Sequence, residues 1–328
     1  MNTEITLHKF VAWTLLGFFV GAILLSTSLL LSFNSRPEAG RWVYECLQKK
    51  NAAVQQIHPK LIILSGSNSL FGFSAERLTK NYGVPTVNAA IHAGLGPNYI
   101  LDYGKKYIAP GRIFVIPLEY QLYGNPSSPT NAAYLYQVVG FDPAYFASMS
   151  PVEKVKFAIE IPWIYRGRLL KARFSPSPRN DINGYQSRTL NAWGDETANT
   201  LDNRNEIAVT NITMSRVKDR FFVGEEAWDA IAKFVLDVRL GGGDVVLTYP
   251  NIYSSYLDTK INSEFFADLA RRAKEINVML VGNPDAARYD EPLLFDTEYH
   301  QNTVGQTKAT DRLYEDLRAA GIFGRISR

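Results

Sequence analysis

The chain has 328 residues, 46% hydrophobic and 20% charged, with a formal net charge of +3. That is globular composition and excludes a disordered chain, and so small a charge, with no Lys/Arg block, argues against a nucleic-acid partner. The single cysteine, Cys46, excludes an internal disulfide and cannot by itself hold zinc.

No charge falls between Lys9 and Arg36, and the run from Phe10 is almost wholly apolar. About 20 such residues cross a bilayer as a helix. The run is too long for a signal-peptide core and lacks an A-x-A-like cleavage site, so residues 1–33 read as an uncleaved transmembrane signal anchor. Arg36, Arg41, Lys49 and Lys50 follow the run and only Lys9 closely precedes it. A count of flanking positives would keep the rest in the cytoplasm, but large domains translocate largely regardless of charge. The chemistry below favours the outside. Residues 34–57 read as a polar, partly helical connector.

From residue 58 strands and helices alternate. Lys60–Gly66 is a short apolar run, as a buried parallel strand requires. Ser74 caps a short helix that ends near Gly83, and Pro85–Ile91 is a second strand. Pro97 opens the next helix, and Arg112–Leu118 is the third strand. After a long interval, Glu225–Gly243 reads as a glycine-stopped helix and Asp244–Pro250 as a strand. An amphipathic helix from Asn262, a fifth strand, NVMLVGN, and a closing helix from Thr303 complete the series. Repeated β-α units imply an α/β fold, a doubly wound, mostly parallel five-stranded sheet covered on both faces. Residues 120–223, rich in Pro, Asn, Tyr and Trp, break the rhythm and read as an insertion over the site.

Four histidines are present, and only His92 and His300 follow regions where such a sheet opens its ligand crevice. There is no H-E-x-x-H, C-x-x-C or Walker-type sequence, so no metal or cofactor is expected. Ser67 directly follows the first strand. Its hydroxyl needs a base to become a nucleophile; His300 can supply one, and Asp296, four residues earlier, can orient the imidazole. His92 is the alternative base, or lines the crevice. Glu119, after the third strand, could touch substrate, pair with Arg112 or cap a helix. Tyr134, Tyr136, Trp163, Tyr165, Tyr185 and Trp193 could contact sugar rings or simply pack.

LSGSNSLFG, NAAIHAGLG and FDTEYHQNTVG, in this order, resemble the three blocks of the SGNH/GDSL hydrolase superfamily, over about residues 58–328 apart from the insertion. The resemblance implies a flavodoxin-like sheet with Ser67 as nucleophile, His300 as base, and an oxyanion hole at Gly94, with Gly96 the alternative. Three departures stand out. Gly66 replaces the family's Asp. Thr297 sits where the acid is expected, leaving Asp296 or Glu298. The block G-x-N-D is absent, so the third oxyanion donor is missing or comes from elsewhere, with Asn68 and Asn251 the candidates, the latter also a possible substrate contact. The likeness is greatest to the membrane-anchored branch acting on cell-surface polymers. It implies acyl transfer or ester hydrolysis on an envelope or exported polysaccharide. The chain would sit in the inner membrane with its domain in the periplasm, beside a multispanning acyltransferase or synthase. An inactive scaffold subunit of such a complex and a generic esterase are the other readings.

Overall fold

The computed structural model describes residues 2–175, 185–214 and 219–326. The chain forms two compact units, Met1–Arg41 with Ser128–Asn180 and Trp42–Ser127 with Asp181–Arg328. The expected insertion is therefore not one piece. From Ser128 to Asn180 it belongs with the N-terminal helix, and its two ends belong with the sheet; 176–184 and 215–218 lie outside the described residues.

In the first unit, α1 (Asn2–Ser32) contains one span, Leu7–Ser32, long and apolar enough to cross a membrane. Asn34 N–H donates to the Val139 carbonyl (2.9 Å), and Gly140 lies against the Pro37 ring, where a side chain would collide at 2.5 Å. The helix α2 (Glu38–Ile57) starts in this unit and runs on into the second from Trp42, so the connector is helical over most of its length.

The second unit is built on five parallel strands: β1 (Leu61–Ile63), β2 (Thr86–Asn88), β3 (Ile113–Ile116), β4 (Asp244–Thr248) and β5 (Met279–Val281). Their order is β2-β1-β3-β4-β5. Nearly every strand residue is buried, which is why the runs are continuously apolar rather than alternating. Leu61, Ile63, Ile113, Val115 and Val246 pack one face against Leu78 of α4 (Ala75–Tyr82) and Leu313 and Leu317 of the closing helix Thr303–Ala319. On the other face Phe114 meets Phe234 of the helix Glu225–Leu240 edge-on at 5.2 Å, and Gly104 of α5 (Gly96–Gly104) lets that helix approach Leu64 and Phe234.

Local signals decide the ends. Ser74 accepts from Arg77 N–H at the start of α4, and Gly83 stops it at φ +68°. Asp195 reaches the same helix start, accepting from Ala75 N (2.7 Å), Glu76 N (2.9 Å) and Ser74 Oγ (3.1 Å). Lys50, fully buried, donates to the Asn88 and Gly194 carbonyls (both 2.7 Å); burial pulls its ammonium down to about 8. These groups dock the segment around residue 195 onto the β2 side of the sheet. Winding reverses between β1 and β3, where a crevice opens at the strand C-termini.

Candidate active site

Gly66 ends the β1 loop, and α3 (Ser67–Gly72) starts at Ser67. A Cβ on Gly66 would lie 2.4 Å from Glu119 Oε1 and 2.8 Å from Ala93 Cα. Only glycine fits here, because the Glu119 carboxylate already fills the space a side chain would take. Glu119 Oε1 accepts from Asn68 N–H (2.9 Å), and the Gly66 N–H also points at this carboxylate. Burial pushes the Glu119 carboxyl above the usual carboxylate range, against the pull of these N–H groups. Glu119 is therefore a brace beneath the β1 loop and not a substrate contact. Arg112, its other possible partner, donates instead to the Pro59 and Tyr107 carbonyls.

The two asparagines proposed as oxyanion donors are both engaged. Asn68, fully buried, donates from Nδ2 to the Pro117 carbonyl (2.8 Å) and accepts from Ser65 Oγ (2.9 Å) and Ser69 Oγ (3.2 Å). Asn251, also fully buried, donates to the Gly72 carbonyl (3.1 Å) and accepts from Arg312 (3.0 Å). Both side chains are thus spent on groups within the protein, against the expectation that they serve an oxyanion. An amide next to a strand end satisfies buried backbone as readily as it serves a substrate.

His300 lies in the loop before the closing helix. Its Nδ1 donates to Asp296 Oδ1 at 2.6 Å, the only sense open to an ionised carboxylate. Asp296, not Glu298, is thus the acid on the imidazole. Tyr185 OH donates to the other Asp296 oxygen. Burial alone would raise the Asp296 carboxyl, but the hydrogen bond and charge of His300, with the Tyr185 bond, hold it below the usual range. Thr297, at the expected acid position, shapes the backbone instead. Its Oγ1 accepts from Tyr299 N–H (3.2 Å) and His300 N–H (3.1 Å), forming the turn that absorbs the extra residue.

The His300 ring stacks on Phe71 (4.2 Å between centroids, 16°). Phe71 is four residues after Ser67, on the same side of α3. Asn199, fully buried and distant in sequence, ties the two loops together by donating to the Phe71 (3.3 Å) and Gln301 (2.9 Å) carbonyls. The Ser67 hydroxyl is half-buried and makes no hydrogen bond among the described residues, to His300 or otherwise.

His92 is the second histidine of the crevice. It stacks at a tilt on Trp42 (5.4 Å), and its Nδ1 accepts from Gly94 N–H at 2.7 Å. Burial, with the nearby His300, lowers its imidazole to about 4. The Gly94 N–H expected to hold an oxyanion is therefore occupied by His92 here. Gly96 is a turn residue (φ +73°) pressed against Ser127.

A cavity of about 350 Å³ opens beside Asp296, lined by Tyr185, Phe295, Glu196, Asn203 and Asn205 among others. Of the aromatic residues expected to meet sugars, Tyr185 is at this cavity. Trp193 lies under Lys80 (4.7 Å), Tyr134 and Tyr136 are buried in the first unit, Tyr165 packs on Tyr136, and Trp163 is exposed there. After Gly194, Asp195 caps α4, while Glu196 reaches the cavity but accepts from Thr189 Oγ1, Thr197 N and Ala198 N. The residues that sequence reasoning missed are Phe71, Asn199 and the Tyr185 hydroxyl. Only Phe71 left a trace, one helical turn past Ser67. Among the described residues no group of three or more His, Cys, Asp or Glu could hold a metal ion.

No family model matches the chain, and no curated protein does. Among solved structures it is similar to protein YxiM from Bacillus subtilis, at 13% identity and a TM-score of 0.39, over 80% of this chain and 57% of that one. The chain thus spans little more than half the length of the structure it matches.

Proposed function

We propose that the second unit is a serine-dependent acyltransferase or esterase of SGNH/GDSL type, with a doubly wound, flavodoxin-like sheet. Ser67 attacks an acyl ester, His300 Nε2 takes its proton and later returns one, and Asp296 fixes the imidazole tautomer. The observation that carries this reading is the Asp296–His300 hydrogen bond, with the imidazole laid on Phe71 one turn from Ser67. The backbone N–H of Ser67 is the first oxyanion donor, and Gly94 N–H the second once His92 releases it. Losing one donor costs about 3 kcal/mol of transition-state stabilisation, so this release sets the rate on a given substrate. The polar cavity beside Asp296, with its aromatic wall, suits a sugar bearing or receiving the acyl group. The span Leu7–Ser32 anchors the chain in the cytoplasmic membrane with this unit outside, where a multispanning acyltransferase could supply the acyl group and an envelope polysaccharide accept it.

The test is labelling of the full-length protein in detergent by a fluorophosphonate, with p-nitrophenyl acetate turnover alongside. Ser67→Ala and His300→Ala should abolish both; labelling that survives Ser67→Ala overturns the nucleophile. One observation favours a second reading, a non-catalytic scaffold: Ser67 Oγ makes no hydrogen bond among the described residues and Gly94 N–H is occupied. Failure of the wild type to label or turn over would select it.

A further inference from the structure

In the first unit, α6 (Pro151–Glu160) and α7 (Trp163–Phe174) pack beside α1. Phe157 and Leu169 point inward and are buried. The outer sides are apolar too. On α6, Val152, Val155 and Ile159 recur at helical spacing and are 77%, 59% and 68% exposed; on α7, Trp163, Ile164 and Phe174 are 77%, 61% and 70% exposed. A water-facing surface helix would carry polar residues there.

Charge and position say what covers this face. Between Ser150 and Ser175 stand six Lys or Arg and two Glu, and Lys156, Arg168, Lys171 and Arg173 are exposed among the apolar residues. Arg166 of α7 is buried and reaches the Leu25 carbonyl (3.4 Å) and Ser28 Oγ (3.3 Å), within the last two turns of the Leu7–Ser32 span. The hairpin therefore sits at the level where α1 would leave the hydrocarbon. A tryptophan, aliphatic side chains and long cationic ones at that level are what the headgroup layer of an anionic bilayer accepts.

We propose that the α6–α7 hairpin is a second membrane contact, lying in the interface with its apolar side on the acyl chains and its cations on lipid phosphates. This rests on reading α1 as a membrane span. The full-length chain is reconstituted in phosphatidylethanolamine–phosphatidylglycerol vesicles with single spin labels at Ile159→Cys, Trp163→Cys, Leu16→Cys in α1 and Leu236→Cys on the exposed surface of the second unit. Cys46 is buried and does not compete for label. The labels at 159 and 163 should collide with a water-soluble nickel chelate about tenfold less than the label at 236, and lie shallower than the label at 16. Replacing the anionic lipid by phosphatidylcholine should move them outward. If 159 and 163 match 236 while 16 stays in lipid, the hairpin proposal is overturned, and a protein partner is the occupant of this face. If 16 matches 236 as well, the membrane reading of α1 fails and takes the proposal with it.

Discussion

The segments 90–96 and 292–302 each bring one histidine to the crevice, and each wires it differently. His300 has a carboxylate on Nδ1 and an aromatic ring beneath it, so its Nε2 is left bare and its charged form has a counter-ion. His92 has no carboxylate partner among the described residues. Its Nδ1 takes a backbone N–H, it lies on Trp42, and its neighbour His300 repels a second positive charge. Of the two imidazoles, one is held by a carboxylate and the other by a backbone N–H. Residue type alone could not separate them; what each ring nitrogen touches does.

The strongest test of that contrast is to disarm each histidine in turn. Asp296→Asn should lower kcat by about 10³- to 10⁴-fold by favouring the wrong tautomer. His92→Gln should not lower it comparably, because no proton passes through His92 and the Gly94 N–H that it holds is set free. The reverse ranking in steady-state kinetics would make His92 the base. Next in size is the brace under Ser67. Glu119→Ala strands the N–H of Asn68 and costs about 2 to 3 kcal/mol of stability in urea unfolding. Gly66→Asp alone should also destabilise by collision with Glu119, yet the double variant should recover at least about 1 kcal/mol of the summed loss. Strict additivity would show that the two side chains do not share one space.

The pH response sharpens the contrast further. The folded-state value of His92, about 4, lies below its ordinary 6.5. Its neutral form supports the fold fully above pH 6.5, and that support is lost as the pH falls from 6.5 towards 4. The urea midpoint of the wild type should drop across this window, and His92→Gln should flatten part of the drop. Asp296, held below its ordinary value, loses its contribution only on acidification below about 3.8. The smallest expected effect is Thr297→Ala, about 1 kcal/mol, from the turn that holds the His300 backbone.

Much of this was legible beforehand. The five apolar runs each became a strand because a parallel strand buried on both faces has no reason to alternate. The Asp296–His300 contact was legible because the two residues stand four apart in one short loop. The acceptors that engage Asn68, Asn251 and Gly94 N–H could not be foreseen because a donor's acceptor is not written beside it: Pro117, Gly72 and the His92 ring were already there. Tyr185 and Asn199 act on residues about a hundred positions away, and single-sequence patterns carry no such pairing. The insertion looked like one block because its composition is uniform, although its middle and its two ends serve different units.

The pair Lys50–Gly194 joins residues 144 positions apart, and Ser74–Asp195 joins residues 121 apart. His300 lies farther still along the chain from Ser67. Such contacts form only after long loops close, which is slow. The stack of His300 on Phe71, between loops far apart in the chain, therefore forms late, after the local helices and turns.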